Sequence, residues 1–202
     1  MVVTGIKRQV KRSDRFSIFL DDSYAFSLNS QDVIEQDVRI GQEIDPRRLV
    51  ELKKLASLGL SYNKLLRYLA IRQRSRKELE DYFHRKQLSD AEAQILLKKV
   101  DQIGMLNDER FACSWVDSRR KRKHSSSRQL RYELRQKGID EKSISEAIEA
   151  NSIDDVQALD ALIEKKRRIG RYKDDKKLMV YLVSQGYPYG LVKERVNGDS
   201  TD

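Results

Sequence analysis

One short apolar pattern recurs three times between residues 79 and 187, and it restricts the fold more than any other feature. Its clearest copies are Leu130, Leu134, Lys137, Gly138, Ile139 and Leu178, Leu182, Gln185, Gly186, Tyr187. A more diverged copy is Leu79, Phe83, Lys86, Gln87, Leu88. The internal offsets are identical, and the copies start at residues 79, 130 and 178, which are 51 and 48 residues apart. A period of that length marks a tandem array of one helical unit. The first leucine and its partner four residues on share a buried face, and a lysine near the helix end complements the helix dipole. Glycine then takes the left-handed conformation past the last turn, and the next apolar residue folds back over the helix end. Gln87 stands where the other copies have glycine, so that turn is expected to be strained or lengthened.

The rest of the chain fits a helical frame around these copies. Only two prolines interrupt 202 residues, and 36% charged against 39% hydrophobic residues is a helix-rich, well-solvated balance. The N-terminus differs: Phe16, Ile18, Leu20 and Tyr24, Phe26, Leu28 alternate with period two around Asp21-Asp22-Ser23. Together with Val2-Val3, Ile6 and Val10, that predicts a three-stranded antiparallel sheet. A short helix near 31–35 and an extended piece near 38–44 complete an N-terminal β-rich element over 1–45. Asp45-Pro46 opens a linking helix over 46–60, with Gly59 ending it and Ser61 capping the next. Three-helix repeats are expected over 61–106, 107–150 and 151–202, the last including a frayed tail. Ser75–Glu78 and Ser89–Glu92 read as capping boxes. The expected architecture is mainly α, an elongated curved array of tandem three-helix repeats with a small antiparallel β element in front.

Charge is the second constraint. The net charge is +9, and residues 119–202 hold 20 Lys/Arg against 14 Asp/Glu, two thirds of the surplus. A basic balance of this size favours a polyanion or an acidic protein surface as partner. Three clusters stand out: Arg72, Arg74, Arg76, Lys77; Arg119, Arg120, Lys121, Arg122, Lys123 with Arg128; and Lys165, Lys166, Arg167, Arg168 with Lys176 and Lys177. Each precedes a copy of the repeated helix, so stacking would bring them to a similar level as one basic strip able to track a backbone without reading sequence. The first lies beside a helix N-terminus whose free N–H groups attract anions. A solvated helix face is the plainer reading of any single run.

Catalytic chemistry is poorly represented. His84 and His124 sit among basic residues, neither near the single Cys113, and there is no zinc-ligand spacing or phosphate-binding loop. Asp21-Asp22 and Asp174-Asp175 could ligate a cation but suit turns and caps better. Cys113, between Phe111 and Trp115, reads as an inert core thiol. No enzyme activity, metal or cofactor is expected. Nine tyrosines could stack bases, although Tyr62, Tyr68, Tyr82, Tyr132 and Tyr181 occupy helical positions suited to half-buried packing. The N-terminus does not read as a signal peptide, and no apolar run approaches membrane length, so a cytoplasmic protein without a membrane partner is expected.

Three segments resemble a known family. Arg72-Gln73-Arg74-Ser75-Arg76-Lys77-Glu78-Leu79 is similar to the Arg-x-Arg-Ser-x-x-Glu-Leu signature of the RecX regulatory proteins. Leu106–Ala112 with Trp115 resembles the family's Leu-Asp-Asp-Glu-Arg-Phe-Ala segment, and Tyr132–Ile139 its Glu-Leu-x-x-Lys-Gly-Ile. With the Leu178–Tyr187 copy, the resemblance spans about residues 61–196. Ser125-Ser126 departs from a common glycine, and Asn107 from a common aspartate, whose capping role it keeps. The strands over 1–28 occur in only some members.

The resemblance implies a non-enzymatic monomer that lies in the groove of the RecA recombinase filament on DNA and modulates RecA, by inhibition, in homologous recombination, DNA repair and the SOS response. It also implies weak contact with single- or double-stranded DNA through a basic surface. Two other readings stay open: a DNA-binding helical protein or transcriptional regulator acting without RecA, and a nuclease built on the aspartate pairs.

Overall fold

The alternating N-terminal residues close into a three-stranded antiparallel sheet because two adjacent aspartates make the tightest turn that matches strand twist. The computed structural model describes residues 1–10, 12–151 and 154–198. Strands β1 (Val3–Gln9), β2 (Arg12–Leu20) and β3 (Ser23–Asn29) lie in that order. Asp21 and Asp22 both have positive φ, 47° and 63°, the geometry of a two-residue type I′ hairpin. Pairing sets Ile18 opposite Phe26 and Phe16 opposite Leu28. Ile18, Phe26 and Leu28 then share a core with Val3, Leu20, Val38, Ile44, Leu52 and Ala56. Helix α1 (Ser30–Glu35) is capped by Asn29, and the extended piece after it contributes one bridge, Val2 to Glu43.

Helix α2 (Pro46–Ile71) starts at the expected cap, where the Asp45 carboxylate accepts from the Arg47 and Arg48 N–H groups at 2.8 and 2.9 Å. It then departs from expectation. Gly59 does not end it and Ser61 does not restart it; 26 residues run without a break. The reason lies across the helix. Arg15 is fully buried, its Nη2 donating to Ser27 O at 2.6 Å and to Ser27 Oγ at 2.9 Å. A Cβ on Gly59 would lie 3.6 Å from Arg15 Nη1 and 3.7 Å from Asp32 Oδ2. Both are ordinary van der Waals distances, so the site would accept a side chain; packing of the helix against this buried polar group overrides the local tendency of glycine to stop it.

The chain divides into two compact units, Met1–Arg72 and Gln73–Asp202. The second holds α3 (Arg76–Arg85), α4 (Asp90–Gln102), α5 (Asp108–Lys123), α6 (Ser127–Gln136), α7 (Glu141–Ala150), α8 (Asp155–Arg167), a 3₁₀ turn (Gly170–Lys173), α9 (Asp175–Ser184) and α10 (Tyr189–Gly198). That 3₁₀ turn links α8 to α9.

The repeated motif occupies α3, α6 and α9, and its three copies end alike. The N–H of Leu88, Ile139 and Tyr187 donates back to the carbonyl of Phe83, Leu134 and Leu182, at 3.2, 3.1 and 3.4 Å. The preceding Gln87, Gly138 and Gly186 all have positive φ: 55°, 76° and 90°. The motif therefore closes each helix as its residue types predict. The helical leucines of the motif are fully buried, Leu79 in the first copy, Leu130 and Leu134 among residues of α5 and α7, and Leu178 and Leu182 among those of α8 and α10, while Leu88 in the first closing turn is half-buried.

Candidate partner and nucleic-acid interface

Two of the three basic clusters sit at joints between repeats, the third lies within repeat three, and the two joints use one design. At the first, Ser75 Oγ accepts from Glu78 N–H at 3.3 Å and donates to Lys137 O at 2.8 Å, 62 residues away. At the second, Ser126 Oγ accepts from Gln129 N–H at 3.2 Å and donates to Gln185 O at 2.8 Å. Each serine caps its own repeated helix and holds the end of the next. The next residue's N–H also crosses the joint: Arg76 donates to Asp108 Oδ1 and Ser127 to Asp155 Oδ1, both at 2.9 Å. The helix N-terminus expected to attract an external anion at Arg72–Lys77 is thus already served by the Ser75 hydroxyl and the Asp108 carboxylate. At the same joint, Lys137 Nζ donates to Glu78 Oε1 at 2.5 Å.

Several candidate cations are spent inside the protein. Arg119 Nε pairs with Glu133 Oε2 at 2.7 Å, and its guanidinium stacks 4.4 Å from the Trp115 ring centroid. Trp115 donates to the same carboxylate at 2.8 Å. Arg120 donates to Ser125 O and Asp154 O, at 3.2 and 2.7 Å, and lies 3.7 Å from the Asp155 carboxylate. Arg167 pairs with Asp175 at 2.9 Å and donates to Val196 O, while Lys166 sits over the rings of Tyr172 and Tyr181 at 5.4 and 4.5 Å. These four hold helices together. Lys121, Arg168 and Lys177 form surface pairs with Asp117, Glu164 and Asp174, interactions worth little against solvent. Exposed Arg72 and half-buried Arg74 have partners of their own.

The remaining candidates are Arg76, Lys77, Arg122, Lys123, Arg128, Lys165 and Lys176. All are exposed, and their side chains have no ion-pair partner among the described residues. Three of them form a series: Lys77, Arg128 and Lys176 are each the second residue of a repeated helix. The following repeat braces the stems of the first two. A Cβ on Gly138 would meet Lys77 Cβ at 2.9 Å, and one on Gly186 would lie 3.5 Å from Arg128 Cβ. Lys77 and Arg128 thus have packed stems and solvated charges. Sequence reasoning found these cations only as members of clusters; aligning the copies on their leucines would have singled them out.

His124 ends α5 in the left-handed conformation, φ 49°, and its carbonyl accepts from Tyr187 Oη at 2.5 Å. Burial, then the charges of Lys165 and Arg120, hold its imidazole pKa below the ordinary value. Burial pushes the Tyr187 phenol far up, so it stays a donor. Tyr82 is buried, whereas Tyr132 is 64% exposed rather than half-buried. Cys113 is half-buried against the core of the second repeat. A polar hollow of about 550 Å³ between α8 and α10 is lined by Asp160, Ile163, Glu164, Arg167, Arg168 and Arg195, where Arg195 grips Asp160 through two nitrogens. Among the described residues no group of three or more His, Cys, Asp or Glu is arranged to hold a metal ion, and no helix is long and apolar enough to cross a membrane.

Comparison with known proteins bears on the same repeats. Residues 107–148 match the second three-helix domain of RecX, and residues 1–45 match the N-terminal domain of regulatory protein RecX. Regulatory protein RecX of Bacillus subtilis (strain 168) is 29% identical over 195 residues, covering 94% of this chain and 74% of the relative. The chain belongs to the RecX family. A second RecX relative, from Listeria monocytogenes serotype 4a, is 26% identical and covers 96% of this chain and 74% of its own length. The crystal structure of a regulatory protein RecX matches 97% of the chain and 98% of its own, at 21% identity and a TM-score of 0.75. That of RecX from Lactobacillus salivarius covers 70% of this chain and 95% of its own, at 22% identity and a TM-score of 0.57. Both share the fold. The RecX N-terminal match takes the likeness to the strands and α1, beyond the 61–196 expected from the motifs. The family is one of regulatory proteins.

Proposed function

We propose that this protein is a non-enzymatic regulator that binds the RecA–DNA filament and restrains RecA, and that Lys77, Arg128 and Lys176 lead the contact. The observation that carries the reading is their equivalence: one exposed, unpaired cation at the same helix position in each repeat. A filament of DNA and protein repeats along its axis, and a periodic row of cations suits such a partner better than a single compact ligand does. Arg76, Arg122, Lys123 and Lys165 would add unspecific attraction beside them. The RecA partner itself comes from the motif resemblance. A cytoplasmic location and weak DNA contact follow from the same reading.

The test is RecA ATPase on single-stranded DNA, titrated with the wild type and with the triple variant Lys77→Ala, Arg128→Ala, Lys176→Ala. Inhibition should weaken while helicity and melting temperature hold, and the log–log salt slope should fall by roughly 2–3, close to one for each phosphate no longer neutralised. Undiminished inhibition would remove these residues from the interface. Tight, sequence-selective binding to naked DNA without any effect on RecA would favour a DNA-binding regulator instead.

A further inference from the structure

The corner between α9 and the start of α10 differs in kind from its counterparts in the other repeats. Alignment on the motif leucines sets Met179, Val180 and Val183 where repeat two has Arg131, Tyr132 and Arg135 and repeat one has Glu80, Asp81 and His84. Tyr189, the first residue of α10, matches Glu141 and Asp90, the first residues of α7 and α4. In repeat two this corner is braced by charge, with Arg131 and Arg135 both bonded to Glu141 at 2.5 and 2.8 Å. In repeat three Lys176, Met179, Val180, Val183 and Tyr189 line an open hollow of about 360 Å³. Val180 is 72% exposed and Tyr189 60%. The core of this repeat is served by Leu178 and Leu182, so Val180 and Val183 are surplus to it. A helix face that is charged in the first repeat, charged apart from Tyr132 in the second and apolar throughout in the third is an interaction surface in need of a cover.

The charges at its edge indicate what covers it. Lys176 lines the hollow, and Lys193 stands one turn beyond Tyr189 on α10; both are exposed and have no ion-pair partner among the described residues. Among the described residues no carboxylate lines the hollow. We propose that this corner docks a short amphipathic protein segment whose apolar side chains are flanked by aspartate or glutamate. The apolar residues would enter the hollow and the carboxylates would meet Lys176 and Lys193, the helix-in-groove mode of recognition. This goes beyond the cation row proposed above and uses Lys176 only at its rim.

The probe is a synthetic helical peptide with leucine and phenylalanine on one face and glutamates beside them, titrated into the full-length ¹⁵N-labelled protein. Amide shifts should concentrate on α9 and the start of α10. Val180→Glu and Val183→Glu, at exposed positions, should each weaken binding about tenfold or more without moving the melting temperature. A lysine-flanked version of the peptide should bind clearly less well. Absence of binding, binding indifferent to both variants, or equal binding of the lysine-flanked peptide would each overturn the proposal. So would sedimentation showing self-association that Val180→Glu abolishes, since a second copy would then be the occupant. RecA inhibition retained in Val180→Glu would separate this site from the cation row.

Discussion

Replacing Ser126 with alanine tests whether the joint between repeats is held as the geometry indicates. The Ser126 hydroxyl is fully buried and works in two directions, capping α6 through Gln129 N–H and holding Gln185 O of the following repeat. Loss of the cap costs about 1 kcal/mol. A partner group left without its bond costs a further ~1–2 kcal/mol, because Gly186 packs so closely on Ser126 that a Cβ there would come within 2.7 Å of the hydroxyl, leaving no room for water. The expected loss is therefore ~2–3 kcal/mol, and Ser75→Ala should match it, since Ser75 is equally buried and bonded across the first joint. Ser89→Ala is the control. Ser89 is the N-cap of a complete capping box with Glu92 but is exposed, so water can replace it and the loss should stay near ~0.5–1 kcal/mol. Equilibrium urea unfolding reads all three, with the slope checked for constancy. If Ser126→Ala costs no more than Ser89→Ala, the hydroxyl does not hold the next repeat and the shared joint is wrong.

The motif turns should separate by neighbour as well as by φ. Gly138→Ala and Gly186→Ala should each cost ~1–2 kcal/mol for the left-handed backbone plus a visible loss from the close approach, whereas Gln87→Gly should leave stability unchanged or raise it by up to ~1 kcal/mol; a fall in melting temperature for Gln87→Gly would contradict the cap. Gly59→Ala should raise stability by ~0.5–1 kcal/mol, because α2 is helical there and the nearest groups stand at ordinary van der Waals distance; a clear fall would show that Arg15 and Asp32 need the open space. His124, held below its ordinary pKa near 6.5, favours folding while neutral, so its contribution is full above that value and is lost as pH falls through the lower folded pKa. His124→Asn, which tolerates the left-handed backbone, should flatten the drop in melting temperature between neutral and mildly acid pH, and an unchanged drop would exclude His124 as its source.

Local chemistry was largely legible in the sequence. The hairpin at Asp21-Asp22, the caps at Asp45 and Ser89, and the closing turns at Gly138 and Gly186 all follow from residue types within a few positions of each other. What stayed hidden needed partners distant in the chain. Gly59 reads as a stop because the Arg15 and Asp32 that lie against it are 44 and 27 positions away. Glu78 reads as half of a capping box, yet its carboxylate takes the Lys137 ammonium, 59 residues on. The basic clusters mislead for the same reason. Charge runs show how many cations there are, but whether Arg119 or Arg120 faces solvent depends on Glu133, Asp154 and Asp155, which other helices supply.

The joints also explain why the three copies are unequal. Ser75 and Ser126 succeed because a hydroxyl accepts from one helix and donates to the next. The third position in that series is Asp174. Its carboxylate caps α9 by accepting from Lys177 N–H at 3.2 Å, but an ionised carboxylate has no proton to give a following carbonyl, so this group could not hold another unit beyond repeat three. The Gln87 copy is relaxed in the complementary way. Lys86 and Gln87 are exposed, so the turn must satisfy the left-handed φ but not a close approach, and a side chain is tolerated at moderate cost. Among these turns, glycine is thus demanded where the turn is pressed onto the start of the preceding repeated helix, against Lys77 for Gly138 and Ser126 for Gly186. The same logic reaches the surface: Lys77 and Arg128 have stems packed under the glycine turn of the following repeat, while α9 lacks the cap that would hold such a turn over Lys176. Of the three equivalent cations Lys176 is the least constrained, and it borders the one corner where the repeat has exchanged charge for apolar side chains.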